Sequence, residues 1–339
     1  MKLFIIGNGF DLAHHLPTRF FDFRTFLSHA QPGFLEQFEA HYNLYPESSK
    51  SAQEKFLWED FELKLSNIDE TLALSEGTNI NLGLEIEDIG VEGTIYCYVE
   101  NLLGNIDRLP KCLKTWVRSI RIRDCLPRTS KIGISPEDMF VTFNYTSVLE
   151  NVYHLANEQV IHIHGSLRAY TTDPIVGHGN SQCIRRMQKE VSKLLYSFDE
   201  KKHGAYRAVL DYYKKTFKDV KKYYHLLTPL RNKSIDEIIV VGHSIGDIDI
   251  PYFEEIDRLT GKSKNWTVYY HSIQKAESKR SGLIKAGISE RRISMKEEQS
   301  FFDLIDNTAA SEYAAQLAEF ARKNKPKKKQ CAPLLQEGF

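Results

Sequence analysis

The chain has 339 residues, 42% of them hydrophobic and 27% charged, a composition typical of folded globular proteins and not of disordered ones. Its 45 basic side chains equal its 45 acidic ones, so net charge gives no argument for nucleic-acid or membrane binding. No apolar stretch approaches the roughly 18 residues of a membrane span, and the N-terminal run is too short for a signal-peptide core, so we expect a cytoplasmic protein with no membrane partner.

Four short apolar runs predict four strands of a parallel sheet. They occur in KLFIIGNGFD, MFVTFNYTS, QVIHIHGS and EIIVVGHSIGD. Each run is continuous, with little alternation, which is the pattern of strands buried on both faces. Polar residues follow each run at its C-terminal end, where open α/β sheets bind ligands. We therefore expect an α/β fold in which four segments converge on one pocket.

Helical stretches separate the predicted strands. We expect helical insertions at about 25–135 and 183–233, within a single domain of residues 1–310. A C-terminal helix and a basic tail are expected at 311–339. The glycine-interrupted, acidic stretch from about Thr78 to Gly93 is predicted to be a loop or lid.

The segment WEDFE in the first insertion has two interpretations. Trp58 fits a core position, and Glu59 and Glu62 lie three apart on one helical face, with Asp60 elsewhere. A solvent-exposed face of ion pairs explains this pattern, and a role in a site is the alternative.

Residues 185–233 are rich in lysine, arginine and tyrosine. Basic side chains interleaved with aromatic ones can follow a nucleic-acid backbone and stack on its bases. A pair of amphipathic helices with solvated lysine faces and buried tyrosine faces explains the same composition and is preferred. Nucleic acid stays a candidate partner through this segment.

The first predicted strand runs directly into Gly7-Asn8-Gly9. A glycine-rich turn between a buried strand and a helix can hold a phosphate, because backbone N–H groups and the helix N-terminus face one point. The carboxylate of Asp11 would be repelled by a diphosphate. Asp11 therefore fits a contact with a ribose hydroxyl or the N-cap of the following helix.

Polar residues also follow the second and third predicted strands. Asn144 and Thr146 lie on the same side of an extended chain, and an asparagine amide can orient a water or a substrate carbonyl, or simply close a turn. His162 and His164 are two apart, which fits metal ligands, but no third ligand stands at a readable spacing. A general base or polar contact at His164, or a satisfied core histidine, is the preferred interpretation.

The stretch VVGHSIGDIDIPYF follows the fourth predicted strand. Gly242 allows the backbone to approach a ligand, and Ser244 offers a hydroxyl. Asp247 and Asp249 are spaced to hold Mg²⁺ or to cap the helix that begins near Pro251, and a capping role is preferred for at least one of them.

Several motifs together resemble one known family. LFIIGNGFDLAHHLPTRFFDF, WEDFE, TFNYTSVLE, IHIHGSL, IVGHGN and VVGHSIGDIDIPYF, from residue 3 to about 272, closely resemble the AbiH family of phage abortive-infection proteins. More distantly, their order is similar to that of a sirtuin-type NAD-binding domain. The resemblance implies a Rossmann-like parallel sheet of sirtuin-like type with helical insertions.

The sirtuin-like resemblance also implies roles for individual residues. Asn144 would position the attacking water and His164 would be the general base or a ribose contact, so these two are the expected catalytic residues. The residues expected to bind the nucleotide are Gly7, Asn8, Gly9, Asp11, Pro17, Arg19, Thr146, Gly242, Ser244 and Asp247. No metal is expected, and without a zinc-binding cysteine quartet, protein deacetylation is not expected either.

The leading hypothesis is an abortive-infection enzyme that hydrolyses NAD, its substrate, to nicotinamide and ADP-ribose once phage infection is sensed. Such an enzyme must be restrained beforehand, so a phage-derived trigger or regulatory partner, a homo-oligomer or a closed lid is expected. One alternative is a Mg²⁺-dependent nuclease acting on DNA or RNA through Asp11, Glu59, Asp60, Asp247 and Asp249. A non-catalytic nucleotide-binding sensor is the other alternative.

Overall fold

Six parallel strands form a single sheet in the computed structural model, which describes residues 1–42, 57–81, 90–166 and 174–324. The strands are β1 Lys2–Ile6, β2 Met139–Thr142, β3 Val160–His162, β4 Glu237–Val241, β5 Asn265–Tyr270 and β6 Ile293–Glu297. The expected α/β fold with a parallel sheet is confirmed, and the four apolar runs form β1 to β4. Strands β5 and β6 extend the sheet beyond the prediction.

The strand order is β3-β2-β1-β4-β5-β6, which is the order of doubly wound open sheets. Strand β1 pairs with β2 on one side and with β4 on the other, so that Ile6 lies beside both Thr142 and Val241. The chain adds β2 and β3 on one side of β1, and it then crosses to the other side of β1 to add β4, β5 and β6. Ligands in such sheets bind in the crevice at this reversal, outside the carboxyl ends of the strands.

Helices fill the connections between strands. Between β1 and β2 lie α1 Asn8–Ala13, α2 Phe20–Ala30, α3 Pro32–Ala40, α4 Phe61–Lys64, α5 Glu70–Asn79, α6 Gly90–Leu103 and α7 Leu109–Ser119. After β2 come α8 Val148–Val152, α9 Ser181–Leu194, α10 Glu200–Lys215, α11 Ile250–Leu259, α12 Ile273–Lys285 and α13 Asn307–Lys323. A 3-10 segment, Val220–Leu230, precedes β4. The loop predicted from about Thr78 to Gly93 was wrong at both ends, which are helical, and residues 82–89 lie outside the described chain.

The two faces of the sheet bury separate hydrophobic clusters. Phe4 and Ile6 of β1 pack into the cluster that contains the helices of both insertions, whereas Leu3 and Ile5 pack against α11, α12 and the 3-10 segment. Side chains on both faces of β1 and β4 are therefore buried, which explains the continuous apolar runs Leu3–Ile6 and Ile238–Val241.

The helices of the two insertions pack on one another over small residues and aromatic rings. Gly204 of α10 lies so close to α6 that a Cβ atom there would come within 2.4 Å of the Glu92 carbonyl oxygen. Tyr212 and Tyr213 of α10 are buried, which confirms the prediction of buried tyrosine faces for this part of the basic segment. Nucleic-acid binding by residues 185–233 stays a prediction.

Trp58 is a core residue, as expected. Its ring stacks on Phe61 with the centroids 4.8 Å apart, and its indole N–H donates to the Glu39 carboxylate at 2.7 Å. Arg24 pairs with the same carboxylate, so the indole and the guanidinium share one buried acceptor. The stacked aromatic rings and the hydrogen-bonded indole N–H together stabilise the first helical insertion.

The C-terminal helix α13 begins at Asn307, four residues before the expected boundary at 311. Its Tyr313 hydroxyl contacts the backbone carbonyls of Ser130 and Ile132, at 3.0 and 2.6 Å, and Leu317 belongs to the central core. The helix is thus part of the same hydrophobic core, and the expected basic tail at 325–339 lies outside the described residues. In the part of the chain that the structure describes, no helix combines the length and apolarity that a membrane crossing requires.

Three glycines hold the turn after β1 against the loop after β4. The Gly7 N–H donates to the Val241 carbonyl at 3.0 Å, and the Gly9 N–H donates to the Gly242 carbonyl at 2.8 Å. A Cβ atom on Gly7 would lie 2.5 Å from the Cα of His243, and one on Gly9 would lie 2.7 Å from the Cα of Gly242. Gly242 itself has φ +68°. The glycines therefore serve the close approach of two backbones.

Substituting Gly242 with alanine should separate these two loops. The added Cβ would lie 2.3 Å from the backbone nitrogen of Phe10, in a left-handed conformation that alanine disfavours, so we expect a loss of about 3 kcal/mol in the free energy of unfolding. Gly261→Ala is the matched control, because Gly261 also has a positive φ, +87°, but a Cβ atom added there would meet no atom within 4 Å. It should cost only about 1 kcal/mol, from backbone strain. If denaturant unfolding shows equal losses of stability for the two variants, the packing role of Gly242 would be contradicted.

Candidate active site

A pocket of about 220 Å³ lies at the reversal of the sheet, where β1, β2 and β4 end. Eight of the residues predicted for the site line it: Gly7, Asn8, Asp11, Asn144, Thr146, His164, Gly242 and Ser244. The aromatic side chains of Phe20, Trp116, Phe143 and Tyr145 form much of the rest of its wall. The expected convergence of polar residues from separate strands is thus present.

Four residues predicted for the site lie outside this pocket. Gly9 packs against Gly242 within the glycine contact, and Arg19 is exposed. Pro17 is exposed on the wall of a neighbouring pocket. Asp247 is an exposed carboxylate that pairs with Lys285 at 3.0 Å, because the chain turns away from the pocket at this position and returns at Asp249.

Asp11 is buried and fixes the side chains that follow β2. Its carboxylate accepts hydrogen bonds from the Asn144 amide at 2.9 Å and from the Thr146 hydroxyl at 2.6 Å. The Asn144 amide also donates to the Gly7 carbonyl at 3.1 Å. Burial raises the pKa of Asp11 to about 6, although the two hydrogen bonds oppose this increase. The N-cap of α1 is Gly7, so the interpretation of Asp11 as the cap was wrong.

A fully buried lysine connects two acidic residues at the base of the pocket. The ammonium of Lys218 lies 3.1 Å from the Glu62 carboxylate and 3.2 Å from that of Asp249. Burial alone would lower the pKa of Lys218, but the two carboxylates outweigh it and raise that pKa. Glu62, for which a surface role was preferred, thus belongs to the site, whereas Glu59 and Asp60 are exposed.

Two histidines face the Asp249 carboxylate. The Nε2 atoms of His164 and His243 lie 3.4 and 3.6 Å from its two oxygens. The Nδ1 atom of His243 accepts the backbone N–H of Ile245 at 2.8 Å, so the proton of its neutral ring is on Nε2 and faces Asp249. Burial lowers the pKa of His243 to about 4. Burial would raise the pKa of Asp249, but Lys218 and the two imidazoles outweigh it and hold that pKa below its usual range.

His162 and His164 do not act as a pair. His162 does not line the pocket; its Nε2 atom lies 2.7 Å from the Glu150 carboxylate, and its Nδ1 atom lies 3.3 Å from the Asn144 carbonyl. Burial lowers the pKa of His162 to about 4. This buried position agrees with the sequence interpretation of a histidine that makes a core hydrogen bond.

The carboxylates proposed for a Mg²⁺-dependent nuclease are not brought together. Asp11 and Asp249 line the pocket, but Asp247, Glu59 and Asp60 are exposed outside it. Within the described ranges, no group of three or more His, Cys, Asp or Glu residues is arranged to hold a metal ion.

Sequence reasoning did not predict the cluster of four residues at the base of the pocket: Lys218 and His243 were missed, a surface role was preferred for Glu62, and Asp249 was considered only as a Mg²⁺ ligand or a helix cap. Two of them carried a usable signal, because His243 and Asp249 stand in the polar stretch after β4. Lys218 carried none, since it belongs to a run of lysines whose other members are solvated, and its ion pair with Glu62 joins residues 156 positions apart.

Removing the buried ammonium should destabilise the fold strongly. Lys218→Met leaves Glu62 and Asp249 as uncompensated charges, and we expect a loss of about 3–5 kcal/mol in the free energy of unfolding. Lys215→Met is the control, because Lys215 pairs with Glu100 and Asp107 at the surface and should cost less than about 1 kcal/mol. Similar losses for both variants in urea unfolding would contradict this account.

The raised pKa of Asp11 should make its contribution to stability depend on pH. The folded protein holds a proton on Asp11 up to a pKa of about 6, whereas the unfolded chain loses it near 3.8. The stability of the wild type relative to Asp11→Asn should therefore be greatest below pH 3.8 and fall by about 3 kcal/mol as the pH rises through 6. Denaturant unfolding of both proteins from pH 4 to pH 7 measures this difference, and a pH-independent difference would contradict it.

The comparisons with known proteins identify a family. The model of the family described as bacteriophage abortive infection AbiH matches residues 3–270, a range that includes β1 to β5 and every residue of the pocket. No curated protein matches the chain. Because the family model covers most of the sequence, the chain belongs to the bacteriophage abortive infection AbiH family.

Proposed function

We propose that the protein hydrolyses the N-glycosidic bond of NAD during phage infection, giving nicotinamide and ADP-ribose. Membership of the AbiH family supports the antiphage, abortive-infection part of this proposal. The observation that carries the enzymatic part is the Asp249 carboxylate with the His164 imidazole beside it, at the ligand-binding edge of a doubly wound sheet.

The charges of the pocket suit the reaction. Cleavage of the bond between nicotinamide and ribose develops positive charge on the ribose. The pocket wall contains the carboxyl groups of Asp11, Glu62 and Asp249, and no lysine or arginine among the described residues lines it. Negative groups placed where positive charge develops stabilise such a cation and would repel a diphosphate. The nicotinamide and its ribose are therefore the part of NAD that fits this pocket, with the aromatic wall against the flat ring.

His164 is proposed as the general base. Its Nε2 atom lies 3.4 Å from the Asp249 carboxylate, so the proton of the neutral ring would be on Nε2 and Nδ1 would be the nitrogen that accepts a proton. Water would lose a proton to Nδ1 as its oxygen forms the bond to the ribose C1′ atom, and the electrons of the broken C–N bond would leave with nicotinamide. Asp249, ionised beside Lys218, would hold the imidazole and stabilise the imidazolium that forms.

Asn144 is proposed to place the attacking water. Its amide nitrogen donates to both the Asp11 carboxylate and the Gly7 carbonyl, so the orientation of the side chain is fixed. The amide oxygen is the group that can then accept a hydrogen bond from water. Asp11 would act through this contact, by holding the amide in place.

The proposal is tested by incubating the purified protein with NAD⁺ and separating nicotinamide from ADP-ribose by chromatography. His164→Ala and Asn144→Ala should each reduce turnover at least about 100-fold, the effect of losing a general base or a fixed water. Asp247→Asn is the matched control, since this exposed carboxylate of the same loop lies outside the pocket, and it should keep wild-type turnover.

Calorimetry with NAD⁺ distinguishes the remaining outcomes. Tight binding without nicotinamide release, even in extracts of phage-infected cells, would contradict hydrolysis and favour the nucleotide-binding sensor. Equal turnover by the wild type and His164→Ala would contradict the assignment of the base.

A trigger or regulatory partner and a homo-oligomer stay predictions, which follow from the need to restrain an enzyme that depletes NAD.

A further inference from the structure

A second, larger pocket lies directly beside the first. Its volume is about 710 Å³, and it shares Trp116 and Ile120 with the first pocket. The chain between α1 and α2 forms the rim between them, with Thr18 in the wall of the first pocket and Pro17 in the wall of the second. The Asn8 amide donates to the Thr18 carbonyl at 2.9 Å and fixes this rim.

Two arginines whose guanidinium groups pair with no carboxylate among the described residues line the second pocket. Within the described ranges, neither Arg121 nor Arg128 has a carboxylate within ion-pair distance. Asp22 and Asp124 also line the pocket, but Asp22 already accepts the backbone N–H of Arg19 at the start of α2. Unpaired guanidinium groups in a concave wall are typical of sites that bind phosphate, which a guanidinium contacts through two parallel hydrogen bonds.

The first pocket cannot hold a whole dinucleotide. Sites for drug-sized ligands measure roughly 300–1,000 Å³, so a pocket of about 220 Å³ accommodates only one end of NAD. Its carboxyl groups also exclude the diphosphate on grounds of charge. The phosphates and the adenosine must therefore bind elsewhere, and the second pocket adjoins the first and supplies two arginines.

We propose that the second pocket binds the phosphate-bearing part of a nucleotide, with Arg121 and Arg128 as the phosphate ligands. This inference rests on the proposed function, because it places the ADP-ribose portion of NAD in the second pocket and the nicotinamide end in the first. The ligand would cross the rim at Trp116, whose ring lines both pockets. Phe26 in the wall of the second pocket offers an apolar surface to the adenine.

The first test measures binding of ADP-ribose to the full chain by calorimetry. The double variant Arg121→Gln/Arg128→Gln should bind ADP-ribose at least tenfold more weakly than the wild type. Arg118→Gln is the matched control, because Arg118 is an exposed arginine of α7 that lines neither pocket, and it should bind as the wild type does. Unchanged affinity in the double variant would overturn the proposal whether or not NAD is hydrolysed.

The second test compares NAD with nicotinamide riboside, which lacks the phosphates and the adenosine. In the double variant the KM for NAD should rise at least tenfold with kcat retained, while kcat/KM for nicotinamide riboside stays within twofold of the wild type. If the double variant hydrolyses NAD with an unchanged KM, the placement of NAD across both pockets would be overturned, and the proposed function would still stand. Arginine-dependent binding of ADP-ribose without any NAD hydrolysis would support the phosphate site and contradict the proposed function.

Discussion

The buried ammonium of Lys218 is the interaction on which the rest of the site depends. It joins Glu62 from the first helical insertion to Asp249 from the loop after β4, and Lys218 itself lies in the second insertion, just after α10. An unpaired ammonium in the interior would cost several kcal/mol, so the three segments can close only when both carboxylates are in place. Packing of the two helical insertions is therefore coupled to formation of the pocket. The charge of Asp249 is stabilised by Lys218, a residue that does not line the pocket.

The glycine contact between the β1 turn and the β4 loop supplies the second constraint. Because the N–H groups of Gly7 and Gly9 donate to carbonyls of the neighbouring strand and loop, they are occupied by the protein itself. The Gly-x-Gly sequence here brings two backbones together, which is a different use from cradling a phosphate. The same contact sets the position of the Gly7 carbonyl, which accepts the Asn144 amide. Under the proposed function, the phosphates would therefore be held by side chains such as the arginines of the second pocket.

The sequence predicted four of the six strands of the sheet and eight of the residues that line the first pocket. Strands β1 and β4 are recognisable because each contains four consecutive apolar residues, and the polar residues after β1 and β2 had to meet at one edge of a parallel sheet. Strand β6 could not be recognised in this way, because of its five residues only Ile293 is buried. Lys218 was missed, and a surface role was preferred for Glu62, for one physical reason: on a helix and in a basic run, a charged residue is normally solvated, and only tertiary contacts reveal the exception.

Two carboxyl groups of one pocket have pKa values displaced in opposite directions, and this separation suits a division of roles. Asp249, beside Lys218 and two imidazoles, stays ionised and can hold the base and stabilise developing positive charge. Burial raises the pKa of Asp11 to about 6, and its carboxylate accepts hydrogen bonds from Asn144 and Thr146. Sites for acid–base chemistry commonly separate neighbouring groups in this way. Under the proposed reaction, Asp249 therefore acts through its charge, and Asp11 acts through the geometry that it imposes on Asn144.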